Sequence, residues 1–273
     1  MSNQPKPRGR PRSQFSESTA GTLQSLDRAL GVLVVLAREE RSSLTNLALA
    51  LGIPAPTTHR ILMTLLKHGF VEFSDERQLW MIGVEAYRTG ASFLKRNGLI
   101  EIGQPIMRRL MEETGETANL AVADQGNVVF IGQVETSNPV RAFFPPGTRT
   151  SMHASGTGKA ILAAMPRVRV EKMLKKVGLT SFTESTIVSP DAFFDDLEAT
   201  KARGWSHDHE ERFSGMSCVG AAIFDDTGEP CGGISVSGPS VRFTDKRVAV
   251  FGIAVAKAAE QITLQSGGRF VRE

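Results

Sequence analysis

Residues 44–69 read LTNLALALGIPAPTTHRILMTLLKHG, a pattern typical of two short helices joined by a tight turn. Apolar residues recur at helical spacing in the first half, and Gly52 stands where helices commonly end in a left-handed residue. Pro54 and Pro56 suit a turn or the first position of a helix, so we expect a second helix to start near Pro56. The sequence therefore predicts a helix-turn-helix, whose second helix fits the DNA major groove. A helical hairpin with an ordinary solvated face is the alternative.

The second predicted helix presents polar and basic side chains opposite its apolar face. We predict that this outward face contacts DNA through Thr57, His59, Arg60, Thr64 and Lys67. Two β-prone runs follow, residues 70–73 and 78–82, on either side of a polar turn. They predict a β-hairpin, which would be the wing of a winged helix-turn-helix.

Length and composition bound the remaining possibilities. The chain has 273 residues, 41% of them hydrophobic and 22% charged, which favours two globular domains. Two cysteines, Cys218 and Cys231, are too few for a disulfide framework, and neither a membrane span nor a secretory signal is predicted. We therefore expect a cytoplasmic protein. Residues 1–83 contain ten Lys and Arg against seven Asp and Glu, so the net charge of +3 lies at the helix-turn-helix end.

The first twenty residues are polar and rich in Pro, Gly and Ser, which predicts a disordered basic arm at residues 1–20. Arg8, Arg10 and Arg12 form an Arg-Gly-Arg-Pro run of the kind that enters the narrow minor groove of A·T-rich DNA. We predict that these three arginines contact DNA. A flexible solubilising tail is the alternative.

A helix is predicted from Ser25, with Ser25 as its N-cap and Asp27 in its first turn. This start (SLDRAL), the helix-turn-helix with TTHR at residues 57–60, the hairpin ending at Gly83 and the run HASGTGKA at residues 153–160 follow one another along the chain. Together they resemble the IclR family of bacterial transcriptional regulators. The chain departs from the family at Ala55, where a basic residue followed by Ser is usual, which argues against a base contact from position 55.

Residues beyond 99 alternate between helical and strand patterns. Helices are predicted at residues 99–114, from about Lys159, and at 167–177, 191–203 and 244–265; strand pairs are predicted at 117–123 with 128–134 and at 217–224 with 231–237. Ser189 is the expected N-cap of the helix at 191–203, with Pro190 at its first position. Hairpins flanked by helices indicate an α+β fold.

The resemblance implies how this α+β chain is divided. It places a winged helix-turn-helix DNA-binding domain at residues 21–83, a linker helix at 84–98 and a GAF-like effector-binding domain at 99–273. Val84, Tyr87, Ala91 and Leu94 form a narrow apolar stripe along the linker, the seam of a helix that pairs with another. Members of the family dimerise through this helix, so a homodimer or a dimer of dimers is expected.

Two motifs that suggest catalysis fail on inspection. The run 155–160 lacks the first glycine and the final Ser or Thr of a phosphate-binding loop, and residues 233–237 lack the last glycine of a nucleophile elbow. We therefore expect no enzyme activity and no cofactor. A glycine-rich helix start offers free N–H groups that suit a small carboxylate. Ser235 and Ser237 share one face of a predicted strand, as do Met216 and Cys218.

The resemblance implies a buried pocket that binds a small organic acid, such as glyoxylate or pyruvate, an aromatic acid or a sugar acid. At the matching positions, the expected effector contacts are Gly156, Thr157, Asp208, Met216, Cys218, Ser235 and Ser237. A metal-responsive regulator is the alternative, with His153, His207, His209 and Cys218 as ligands, since His207 and His209 point the same way on a strand. The expected partners are thus a double-stranded DNA operator and a small carboxylic-acid effector, with no membrane.

Overall fold

A computed structural model describes residues 23–270, except for the side chains of residues 94–97. The chain divides into two compact units between Phe93 and Leu94. The predicted DNA contacts Arg8, Arg10 and Arg12 lie outside the described residues.

The N-terminal unit is a winged helix-turn-helix, as the sequence predicts. Its elements are α1 Gln24–Glu39, β1 Arg41–Ser42, α2 Leu44–Leu51, α3 Ala55–Lys67, β2 Val71–Ser74 and β3 Leu79–Ile82. Gly52 ends α2 at a φ of 62°, and the antiparallel wing pairs Val71 with Ile82 and Ser74 with Leu79. One core joins the three helices to the wing. Its buried members are Val32, Leu36, Leu47, Leu62, Val71 and Trp80.

One prediction for this unit is wrong, and one strand was not predicted. Ser25 is not the N-cap of α1, because the helix begins one residue earlier and its first N–H groups, of Leu26 and Asp27, bond to the carbonyl of Leu23 at 2.9 and 3.0 Å. The two-residue strand β1 was not predicted; it pairs with β3 and makes the wing a three-stranded sheet. A strand that short shows no alternation of apolar and polar residues.

Helix α4, Val84–Asn97, follows the wing where the linker helix is predicted. Val84 and Tyr87, the first two members of the predicted stripe, are 63% and 72% exposed. An exposed apolar pair of this kind is available for contact with another chain.

The C-terminal unit is built on one antiparallel sheet. Its elements are α5 Leu99–Thr114, β4 Thr117–Asp124, β5 Asn127–Val134, β6 Arg149–Ser151, α6 Gly156–Ala163, α7 Arg167–Val177, α8 Pro190–Arg203, β7 Ser206–His209, β8 Met216–Phe224, β9 Pro230–Pro239 and α9 Asp245–Gln265. The strand order is β6-β5-β4-β9-β8-β7. Every predicted helix and both predicted strand pairs are present, and β7 is the strand expected to carry His207 and His209; the short edge strand β6 is an addition.

Helices cover both faces of this sheet. One apolar core lies between the sheet and α5 with α9, and a second lies between the sheet and α6, α7 and α8. Alternation along β8 divides its side chains, so that Val219 and Ala221 enter the first core while Cys218 and Gly220 face α6. Helix α9 has the length and hydropathy of a candidate membrane span. Half of its most apolar 18-residue stretch is buried, however, as in the core helix of a folded domain.

Helix α6 begins at Gly156, three residues before the predicted start. The Ser155 hydroxyl accepts the N–H of Gly158 at 3.0 Å and so caps the helix. The glycine-rich run therefore lies in the first turn of the helix, against the sheet.

Candidate functional site

The outer face of α3 carries the predicted DNA contacts. His59, Arg60, Thr64 and Lys67 are exposed, and Thr57 is half-buried near the start of the helix. The neighbouring Thr58 points the other way: it is fully buried, and its hydroxyl donates to the carbonyls of Ile53 and Pro54 at 3.4 and 3.3 Å. The Thr58 bonds fix the turn from which α3 starts, and the side chains of His59, Arg60 and Lys67 remain exposed to solvent; the Thr64 hydroxyl donates to the Arg60 carbonyl at 2.9 Å.

The first turn of α6 lies directly on β8. A Cβ atom placed at Gly156 would fall 2.8 Å from the Cys218 sulfur, and one placed at Gly220 would fall 2.6 Å from the Gly156 carbonyl carbon. The Ser206 hydroxyl donates to the Gly156 carbonyl and, at 3.3 Å, to the Gly220 carbonyl. Only glycine at both positions lets the helix start approach the strand this closely.

A cavity of about 30 Å³ opens beside this contact. It is lined by Phe130, Phe144, Thr150, Ala154, Ser155, Thr157, Asp208, Arg212, Phe213, Met216, Ser217, Cys218 and Ser237. The structure thus brings five of the seven predicted effector contacts to one cavity wall. The other two, Gly156 and Ser235, lie next to it without lining it.

The two predicted serines occupy one face of β9, as the alternation predicts. Ser237 pairs with Cys218 and Ser235 pairs with Gly220 across the sheet. The amide of Asn119 donates to the Ser237 hydroxyl at 3.3 Å, whereas the buried Ser235 hydroxyl has no nitrogen or oxygen partner among the described residues and lies against the Cys218 thiol. A thiol is a weak hydrogen-bond partner, so the Ser235 hydroxyl keeps hydrogen-bonding capacity to offer.

A buried charge cluster stands behind the cavity. The ammonium of Lys159 donates to the His207 carbonyl at 2.6 Å, and its nitrogen lies 2.5 Å from Glu211 and 3.0 Å from Asp196. Asp208, the acidic residue in the cavity wall, accepts the Glu211 N–H at 2.8 Å. Burial, followed by the negative charge of Glu211, raises the pKa of Asp208 to about 7, although Lys159 acts in the opposite direction.

The residues of the metal alternative do not assemble. His207 and His209 share a face of β7, with ring centroids 5.4 Å apart, and Asp208 faces the other way, as predicted. His153 instead bonds through Nε2 to the Thr180 carbonyl at 2.9 Å. Burial raises the pKa of the Cys218 thiol to about 11, which disfavours the thiolate that binds metals. Among the described residues, no three His, Cys, Asp or Glu side chains gather as a metal site.

Several wall residues were missed by the sequence analysis. Phe130 and Phe144 come from β5 and the loop after it, with ring centroids 5.1 Å apart. Thr150 comes from β6, and Arg212 and Phe213 come from the loop between β7 and β8. For Arg212, the sequence offered one indication of a place in the wall, which is its position four residues after the predicted contact Asp208.

Sequence models of known domains match both units. The model of the IclR helix-turn-helix domain matches residues 25–75, and that of the bacterial transcriptional regulator IclR C-terminal domain matches residues 91–264, more than half of the chain. The chain belongs to the IclR family of bacterial transcriptional regulators. The two matches correspond to the winged helix-turn-helix and to the C-terminal unit described above.

Relatives in the IclR family match along nearly the whole chain. The chain is 43% identical over 266 residues to the HTH-type transcriptional regulator BhcR of Paracoccus denitrificans, covering 96% of this chain and 95% of BhcR. It is 44% identical over 267 residues to the transcriptional repressor IclR of Escherichia coli, covering 97% of each protein. These relatives are named as transcription regulators, in agreement with the DNA-binding fold.

Solved structures show the same architecture. IclR of Thermotoga maritima superposes with a TM-score of 0.73 at 27% identity, over 89% of this chain and 98% of that chain. An IclR homologue from Microbacterium hydrocarbonoxydans, solved with 4-hydroxybenzoate, superposes with a TM-score of 0.76 at 21% identity, over 88% of this chain and 98% of that chain. At 21% identity the likeness concerns the fold alone.

Proposed function

We propose that this IclR-family protein binds an operator through α3 and that a small carboxylic acid, bound in the C-terminal unit, modulates the binding. The cavity at the N-terminus of α6 carries this proposal. It joins the start of a helix, where backbone N–H groups and the helix dipole favour an anion, to hydroxyl and thiol groups on β8 and β9. The proposed effector contacts are the seven predicted above: Gly156, Thr157, Asp208, Met216, Cys218, Ser235 and Ser237.

The size of the cavity favours a short acid. A volume of about 30 Å³ holds roughly two or three water-sized groups, so glyoxylate or pyruvate needs less enlargement of the cavity than an aromatic or sugar acid does. Asp208 in the wall fits the same proposal when protonated, because a neutral carboxyl group donates a hydrogen bond to the carboxylate and does not repel it.

Apolar surface on the N-terminal unit supports a homodimer. Leu23, Leu26, Leu30 and Val34 form an exposed stripe along α1, and Val84 and Tyr87 are exposed at the start of α4. A two-fold dimer would present two copies of α3 to a roughly palindromic operator, and two such dimers could associate further. We propose that the protein acts in the cytoplasm, because the operator is part of the bacterial DNA.

A thermal-shift screen of the full-length protein tests the effector. We expect glyoxylate or pyruvate to raise the melting temperature, because a ligand that binds the folded state stabilises it, and to change operator affinity in gel shifts. Benzoate and gluconate serve as larger acids. Stabilisation by stoichiometric zinc, with no response to any acid, would favour the metal-responsive alternative.

A further inference from the structure

Arg212 has an unusual environment for a half-buried arginine. Its guanidinium carbon lies 3.9 Å from the ring centroid of Phe182 and 5.0 Å from that of Phe213. Its Nε atom is buried and has no hydrogen-bond acceptor among the described residues. The rings therefore hold the cation in place but leave part of its hydrogen-bonding capacity unused.

Two other arginines of the same unit illustrate the usual match to a carboxylate. Arg242 donates from Nε and Nη2 to the two oxygens of Glu116, at 2.6 Å each, and Arg169 pairs with Glu229 at 2.7 Å. The acidic residues close to Arg212 in sequence are engaged by other groups than its guanidinium: Glu211 pairs with Lys159, and Asp208 accepts the backbone N–H groups of Glu211 and of Arg212 itself. Leaving a buried donor of a charged group unpaired is costly, so an arrangement of this kind calls for a function.

The location of Arg212 suggests that function. Arg212 lines the same cavity as Thr157, Cys218 and Ser237, the residues proposed to hold the effector carboxylate. The cavity wall also includes Thr150, whose buried hydroxyl has no hydrogen-bond partner among the described residues. The wall thus offers a cationic donor and a hydroxyl in addition to the groups that a single carboxylate would occupy.

We propose that Arg212 is a specificity-determining residue that binds a second oxygen-bearing group of the effector. The ligand class is then a short acid with an oxo group or a second carboxylate, in preference to an unsubstituted monocarboxylic acid. The planar guanidinium provides forked donors suited to such oxygens, and its contacts with the Phe182 and Phe213 rings hold it at the cavity in the free protein. This inference rests on the function proposed above and adds a selectivity to it.

Matched pairs of acids test the inference on the full-length protein. Titration calorimetry would compare propionate with pyruvate and butyrate with succinate, each pair differing by one oxygen-bearing group. We expect the parent protein to bind pyruvate or succinate at least tenfold more tightly than its partner acid. Arg212→Met keeps a long apolar side chain for the Phe182 and Phe213 rings but removes the donors and the charge, so it should lose this preference: the affinity for pyruvate or succinate should fall further than the affinity for propionate or butyrate.

Arg212→Lys is the matched control, because it keeps the charge and loses the planar fork. It should retain part of the preference. Equal affinities within each pair for the parent protein would overturn the inference even if Arg212→Met failed to fold, and so would a preference that persists in Arg212→Met. In both cases the binding of short acids, and with it the proposed function, would stand. If no acid bound the parent protein at all, the proposed function would fail and this inference with it.

Discussion

Gly156 and Gly220 face each other across the contact between α6 and β8, at a distance that excludes a side chain from either position. A Cβ atom at Gly220 would lie 2.6 Å from both the Gly156 carbonyl carbon and the Thr157 nitrogen. These atoms belong to backbone on two packed elements, so they cannot move aside as a flexible side chain does.

Gly220→Ala should therefore destabilise the C-terminal unit and displace the start of α6. We expect a loss of about 1–3 kcal/mol in the free energy of unfolding, as for other overpacked cores, measured by urea denaturation. Gly90→Ala is the control, since a Cβ there meets nothing within 4 Å and the helical position favours alanine. If Gly220→Ala were as stable as Gly90→Ala, the contact would be looser than the structure shows.

The double variant Ser235→Ala/Ser237→Ala separates sensing from DNA binding. Each hydrogen bond to a carboxylate contributes roughly 1.5 to 3 kcal/mol, so removing both hydroxyls should weaken effector affinity at least about a hundredfold. Dimerisation and operator binding should persist, but the effector should no longer alter them. Calorimetry and gel shifts measure the two effects. Ser266→Ala, whose hydroxyl bonds to the Thr263 carbonyl, is the control, and parental affinity in the double variant would place the site elsewhere.

Arg60→Ala should abolish or strongly weaken operator binding. Arg60 is exposed on the outer face of α3, so its removal should leave thermal stability and effector binding nearly unchanged. Arg38→Ala, at the exposed end of α1, removes the same charge from another surface and should bind the operator like the parent protein. A drop in melting temperature for Arg60→Ala would instead assign the arginine to the fold.

Removal of residues 1–20 tests the predicted arm. If Arg8, Arg10 and Arg12 bind phosphates, the truncated protein should bind the operator more weakly. Its affinity should also depend less steeply on salt, by roughly 0.9 log units of slope for each phosphate that the arm neutralises in the full-length protein. Fluorescence anisotropy across a salt series gives the slope. An unchanged slope would show that the arm does not bind phosphates.

Asp208 should make stability depend on pH. The unfolded carboxyl group loses its proton near its ordinary pKa of 3.8, whereas burial raises the folded value to about 7. Between these values the folded state holds the extra proton, so this contribution to stability is lost as pH rises from about 4 through 7. Urea denaturation at pH 5 and pH 8 should show a smaller difference for Asp208→Asn than for the parent protein. Asp226→Asn, on an exposed turn, should leave the parental difference unchanged.

Local signals in the sequence are sufficient to predict most of the helices and strands. Gly52, Gly115 and Gly204 each end a predicted helix in the left-handed region, because glycine adopts that conformation without strain. Two-residue alternation places Ser235 and Ser237 on one face of β9.

The remaining features depend on tertiary structure. Arg212 and Phe144 meet at the cavity only because the loops after β5 and β7 both reach it, although three strands separate β5 from β7 in the sheet; neither segment encodes this relationship alone. The predicted cap of α1 is wrong because Ser25 satisfies the residue preference of a cap while the backbone already turns at Leu23.

Lys159 joins α6 to elements that are distant in sequence. Its single ammonium group holds Asp196 of α8, Glu211 beyond β7 and the backbone of β7 at His207. Separating a buried charge from its partners costs several kcal/mol, as much as many ligands gain on binding. We therefore expect a ligand that displaces the first turn of α6 to move β7 and α8 together with that helix.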